Sequence, residues 1–102
     1  AFSECTGLTS VVIGNSVTCI EWRAFYNCTG LTSVVIGNSV TNIGVNAFEY
    51  CLSLNNVYFI GTEQEWSAIP ISSGNDVLLN ATKNYGREKF TINYNSKYNE
   101  LL

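Results

Sequence analysis

The chain has 102 residues, 46 % of them hydrophobic, with a formal net charge of -3 and no histidine, which fits one domain around a small core. Its five basic residues, Arg23, Lys83, Arg87, Lys89 and Lys97, supply no cationic field for phosphates, so nucleic acid is not an expected partner. No apolar run approaches the roughly 18 residues of a membrane-spanning helix, and no segment reads as a secretory signal.

The stretch CTGLTSVVIGNSVT occurs at Cys5 to Thr18 and again, unchanged, at Cys28 to Thr41. The step from Cys5 to Cys28 recurs from Cys28 to Cys51, so the chain superposes on itself with one fixed period. Phe2, Phe25 and Phe48 share a column, as do Cys5, Cys28 and Cys51; Leu8, Leu31 and Leu54; Val11, Val34 and Val57; Ile13, Ile36 and Phe59; and Ile20, Ile43 and Trp66. All six columns are apolar. A period in the twenties that encloses Leu-x-x-Val-x-Ile predicts a leucine-rich solenoid of α/β class built from 23-residue coils, in which no coil covers its own apolar edge and successive coils stack.

The chain begins at Ala1 inside a repeat and contains no Met, so it is expected to be a piece of a longer protein. Phe2, Leu8, Val11 and Ile13 of its first coil then lie on an uncapped end with unpaired backbone groups. Strand pairing or end-to-end packing with another molecule is expected there, and self-association is one route.

One coil can be followed through its second copy. In Leu31-Thr32-Ser33-Val34-Val35-Ile36 the β-branched residues favour a strand, with Val34 and Ile36 on one face and Ser33 and Val35 on the other. Gly37-Asn38-Ser39 is a turn. Val40 and Ile43 return apolar atoms to the core, and Ala47-Phe48 opens a short helical or 3₁₀ turn ending near Cys51. Stacking at about 4.8 Å per coil lets parallel strands satisfy each other's backbone groups.

After Val57-Tyr58-Phe59-Ile60 the pattern changes. Thr62-Glu63-Gln64-Glu65 is a capping box that predicts a short helix from Glu63 to about Ala68, which Pro70 ends. Asn75 is placed to cap a second short helix through Asp76–Asn80, followed by a strand at Thr82 to Tyr85. The chain thus divides into repeats at 1–60, a C-terminal helical and strand cap at 61–86, and an extra strand or linker at 87–102.

The segments Ala24-Phe25-Tyr26-Asn27-Cys28-Thr29-Gly30-Leu31-Thr32-Ser33-Val34-Val35-Ile36 and Val40-Thr41-Asn42-Ile43-Gly44 resemble the BspA-like leucine-rich repeat, Ala-Phe-x-x-Cys-x-x-Leu-x-x-Val-x-Ile-Pro-x-x-Val-x-x-Ile-Gly. Gly14 and Gly37 stand where that pattern has proline, and Glu21 where it has glycine after Ile20. The resemblance covers Ala1 to about Ile60, and 61–86 resembles the segment that closes such arrays. Such repeats are found chiefly in bacterial surface and secreted proteins and in some parasitic protists, so the resemblance implies a protein at the cell surface or secreted, with a role in adhesion or host and cell contact.

Chemistry has little to work with. Without histidine the usual Ser-His and Cys-His dyads are absent. Glu63 and Glu65, two apart on a helix, face different ways and read as helix-cap residues rather than an acid pair. The four cysteines contain no Cys-x-x-Cys, and stacking places Cys5, Cys28 and Cys51 in a column with Cys19 elsewhere, opposite Asn42. They read as free thiols acting as small hydrophobes. No enzyme activity, metal or cofactor is expected.

The outward strand positions are the ligand-contact candidates. Ser10, Ser33 and Asn56 form one row and Val12, Val35 and Tyr58 the next. An apolar row on an exposed sheet points to contact with a ligand, another domain or another copy, or else reflects β-propensity on a partly covered face. Trp22 is either a further contact residue or packs on the neighbouring return segment. These features fit a non-catalytic protein- or glycan-binding module; the alternative is a structural spacer presenting other domains.

Overall fold

The computed structural model of the chain describes residues 2–86. The strand or linker expected at 87–102 lies outside the described residues.

The elements in order are β1 (Ser10–Ile13), β2 (Cys19–Ile20), β3 (Ser33–Ile36), β4 (Asn42–Ile43), β5 (Asn56–Phe59), α1 (Glu63–Ser67), α2 (Asp76–Asn80) and β6 (Thr82–Tyr85). β1, β3, β5 and β6 form a parallel sheet in that order, and β2 pairs with β4 in a second, small parallel sheet. Register follows the sequence period, with Val11 beside Val34 and Val34 beside Val57, one full repeat on each time. Because side chains alternate along a strand, this puts Val34, Ile36, Val57 and Phe59 on one face, where all are buried. The core fills the space between the two sheets with Phe25, Phe48, Leu31, Leu54, Cys28, Cys51 and Ile43.

The Phe column stacks as rings. Phe2 lies 5.6 Å from Phe25 at 3°, and Phe25 lies 5.3 Å from Phe48 at 15°, centroid to centroid. Such offset stacking adds to the area each ring buries.

The return segments differ from the expected helical turn. Ala24 N–H donates to Glu21 O and Ala47 N–H to Gly44 O, as in a tight turn. Left-handed residues then interrupt each run: Arg23 (φ 56°) and Asn27 (φ 60°) in one repeat, Asn46 (φ 58°) and Tyr50 (φ 65°) in the next. A left-handed residue cannot continue a right-handed helix, so linked turns replace the helix. Backbone bonds between repeats, Phe25 N–H to Ala47 O and Asn27 N–H to Glu49 O at 2.7 Å each, tie these turns into a ladder of their own.

Gly37 explains one departure from the repeat pattern. Its N–H donates to Ile13 O at 2.7 Å, a bond proline has no hydrogen to make. A Cβ there would also come within 2.9 Å of Gly14 O.

Beyond β5 the spacing lengthens, since Asn56 pairs with Thr82 where the period would have placed Leu79. The capping box forms as expected, with Thr62 Oγ1 accepting from Glu65 N–H at 3.1 Å and Glu65 Oε1 accepting from Thr62 N–H at 2.9 Å. Inserting α1 moves the Ile20 and Ile43 column: its third member beside Ile43 is Ile71, not Trp66. Trp66 is buried instead edge-on against Phe59, with centroids 5.3 Å apart.

Asn75 sits at the N-cap position of α2, but its side chain makes no capping bond. The amide is buried and turned into the stack. Its Oδ1 accepts from Phe48 N–H at 2.9 Å, and its Nδ2 donates to Gly44 O at 3.0 Å and Ser72 O at 2.9 Å. Phe2 and Phe25 give the corresponding N–H to Ala24 O and Ala47 O. The Asn75 amide therefore stands in for a peptide group. Gly74 (φ +84°) allows this approach, because a Cβ there would overlap the Asn46 side chain.

Asn75→Ala strips three hydrogen bonds from a dry interior and is expected to cost about 2–4 kcal/mol. Urea unfolding checks this; a midpoint equal to that of the parent chain counts against the role given to Asn75.

Candidate functional site

The stack presents two surfaces with residues suited to recognition, the outer face of the four-stranded sheet and the ridge of return turns.

On the sheet, register lines up Ser10, Ser33, Asn56 and Thr82. The first three are half-buried and Thr82 is exposed. Asn84 Nδ2 donates to Asn56 Oδ1 and to Val57 O at 3.3 Å each, and Asn56 Nδ2 donates to Asn55 Oδ1 at 3.0 Å. Strand register sets the spacing of the row, and hydrogen bonds tie down its Asn56 amide.

The apolar row beside it takes the second of the two expected forms, a covered face rather than an exposed contact row. Val12 and Val35 keep 4 % and 8 % of their surface, and with Ile60 they form a second apolar cluster against which Tyr58 packs. Parallel register sets Val12 beside Val35 and Val35 beside Tyr58, so the row buries its own flanks. Of the six sheet candidates, Ser10, Ser33, Asn56 and Tyr58 retain accessible surface.

Trp22 does not pack on the neighbouring return segment; it is 64 % exposed. Next to it the Arg23 guanidinium carbon lies 5.2 Å from the centroid of the Trp22 ring and 4.2 Å from that of Tyr26. Tyr26 in turn meets Tyr50 edge-on at 5.6 Å. Sequence reading missed Arg23, Tyr26 and Tyr50. The available signal was a break in column, with Arg23 where the next repeat has Asn46 and Tyr50 where the previous one has Asn27.

The thiols serve the stack. All four cysteines are free, Cys28 and Cys51 buried and Cys5 and Cys19 half-buried. Cys28 Sγ donates to Phe2 O and Cys51 Sγ to Phe25 O, each at 3.0 Å, so the cysteine column bonds repeat to repeat. Burial raises the Cys28 thiol and pushes Cys51 up to about 11. Cys19, opposite Asn42, is raised by burial and then by the Glu21 carboxylate. Among the described residues no group of three or more His, Cys, Asp or Glu could hold a metal ion.

Lys83 takes the core-facing position beside Val57. Its ammonium donates to Leu79 O at 2.9 Å and Ala81 O at 2.7 Å, closing the C-terminal end of α2, and desolvation lowers its pKa.

An open apolar cavity of about 380 Å³ lies at the β1 end, lined by Phe2, Val11, Ile13, Val17, Ile20 and Phe25 among others. Within the described residues β1 pairs on one side alone, with β3.

A parallel sheet with a short repeat period and few short helices defines a leucine-rich-repeat protein. The family model for the BspA type leucine rich repeat region (6 copies) matches residues 1–71, and the chain belongs to that family. A leucine rich cell surface protein from Faecalibacterium prausnitzii A2-165, solved by crystallography, is similar at 38 % identity with a TM-score of 0.63. The match covers 69 % of this chain and 18 % of that one, so this chain spans less than a fifth of that protein. Comparison with curated proteins gives no match. No described helix is long and apolar enough to cross a membrane.

The buried thiols set a pH response. An unfolded Cys51 ionises near 9.0, whereas the folded thiol holds its proton to about 11. Its contribution is therefore complete below about pH 9 and is lost as pH rises to about 11, the window in which only the folded chain keeps the proton. Urea unfolding across that window should show stability falling more steeply in the parent chain than in Cys51→Ala; equal slopes would remove this assignment.

Proposed function

We propose that the chain is a solenoid of 23-residue coils, closed by a cap at 61–86, that serves as a non-catalytic protein- or glycan-binding module of a cell-surface or secreted protein. The observation that carries this reading is the fixed row Ser10, Ser33, Asn56 and Thr82 on the outer face of a parallel sheet. Repeat architectures use such extended faces for recognition, and a pre-ordered row of donors and acceptors loses little entropy on binding. Tyr58 extends the row with an aromatic ring, while Val12 and Val35 support it from within their cluster. The similar Faecalibacterium protein is a leucine rich cell surface protein, which supports the surface location, with adhesion the general role.

Two further readings rest on particular observations. The unbroken ladder β1-β3-β5-β6 favours a stiff spacer that presents other domains of a larger protein. The cavity beside the one-sided β1 favours self-association at that end. A strict monomer by light scattering at high concentration, with β1 amides well protected from exchange, argues against the latter.

Ser33→Arg with Asn56→Arg changes the face without touching the core; it removes the Asn56 amide bonds to Asn55 and Asn84 and sets two like charges side by side, so the melting temperature should fall while the chain remains folded. Binding is read on a glycan array and on immobilised extracellular matrix glycoproteins. Loss of parent-chain binding in the double variant supports recognition by this face; undiminished attachment to every bound probe, or none by the parent chain, favours the spacer.

A further inference from the structure

We propose that Trp22, Arg23, Tyr26 and Tyr50 form a second binding site, on the return ridge, for a sugar ring that carries a carboxylate. This deepens the binding-module reading but uses none of the sheet residues, so its failure leaves the Ser33 and Asn56 test standing.

Three features of the ridge need a common cause. An indole is the largest apolar side chain, and Trp22 leaves 64 % of its surface in water while Tyr50 leaves 49 %. Arg23 is the second oddity. It is held at φ 56°, where its column mate is Asn46, and an arginine in that conformation carries a backbone strain that asparagine largely avoids. Strain kept at an exposed position is a reason to look for function there.

The third feature is charge. Arg23 and Lys83 are the cations among the described residues, and Lys83 is committed to the carbonyls of Leu79 and Ala81. Arg23 touches two ring faces, and no described carboxylate pairs with it. Glu21 acts on Cys19 instead. The guanidinium is thus held over two rings, with its planar fork of donors unclaimed by any described acid.

Chemistry then selects the ligand. The apolar C–H face of a pyranose lies flat on an exposed indole, and a guanidinium held beside it donates two parallel hydrogen bonds to a carboxylate. Arg23 is a single cation, which suits one carboxylate better than a polysulfated chain. A uronic or sialic acid unit of a glycan meets both requirements.

The test uses the full 102-residue chain, titrated calorimetrically with a galacturonic acid oligosaccharide, with sialyllactose, with lactose and with a short Asp-containing peptide. Trp22 fluorescence is followed in parallel, buried Trp66 serving as the internal reference. At least one acidic sugar is expected to bind and perturb Trp22, with lactose and the peptide weaker by about tenfold or more. Arg23→Asn should keep or raise the melting temperature yet lose about tenfold or more in acidic-sugar affinity, and Trp22→Ala should lose binding while remaining folded. Equal affinity for lactose, tighter binding of the peptide, no binding of either acidic sugar, or full affinity in folded Arg23→Asn overturns the proposal.

Discussion

Everything in this structure depends on backbone groups of one repeat meeting those of the next, one period along the chain, in parallel register. A four-residue strand is too short to hold itself, and its apolar face has nothing of its own to cover it. Pairing Ser10–Ile13 with Ser33–Ile36 satisfies the ladder and at the same step lays Val34 against Val11 and Ile36 against Ile13. Hydrogen bonding and burial cannot be separated here, because one displacement along the chain sets both. The cysteine column shows the same economy, with each thiol filling core volume and bonding a carbonyl of the adjacent repeat.

The apolar columns were legible because a buried column admits few residue types. Phe, Cys, Leu, Val and Ile recur at fixed positions, and strands, turns and the Thr62 capping box follow from local chemistry. The left-handed residues were not legible, since Glu4, Asn27 and Tyr50 share a conformation without sharing a residue type. Backbone bonds to the adjacent repeat, Glu4 N–H to Tyr26 O and Asn27 N–H to Glu49 O, hold the first two there. Propensity at the position carries no such information.

Val12 and Val35 stand on the face that alternation assigns them, yet as contact residues they failed for a related reason. Alternation assigns them to the outer face but is silent on whether that face is wet, and a row of like residues in register shields itself. Among the candidate contacts, Ser10, Ser33, Asn56, Tyr58 and Trp22 remained accessible, while the partners of Trp22 emerged only in three dimensions. Asn75 was assigned a local capping role because Asn before a helix usually has one. Its amide instead answers a peptide group left over from the repeat below.

The duplicated fourteen residues carry a hazard of alignment. Two strands of the same sequence, SVVI at Ser10 and at Ser33, offer the incoming β5 nearly equivalent edges, so a chain that skipped one turn would lose little at the point of error. What distinguishes the two outcomes is the unrepeated material: the longer step to Thr82 and the Asn75 amide that recognises Gly44 and Phe48 and has no counterpart a turn earlier. A non-repeating segment thereby proofreads the repeats beside it, fixing how the turns before it are counted.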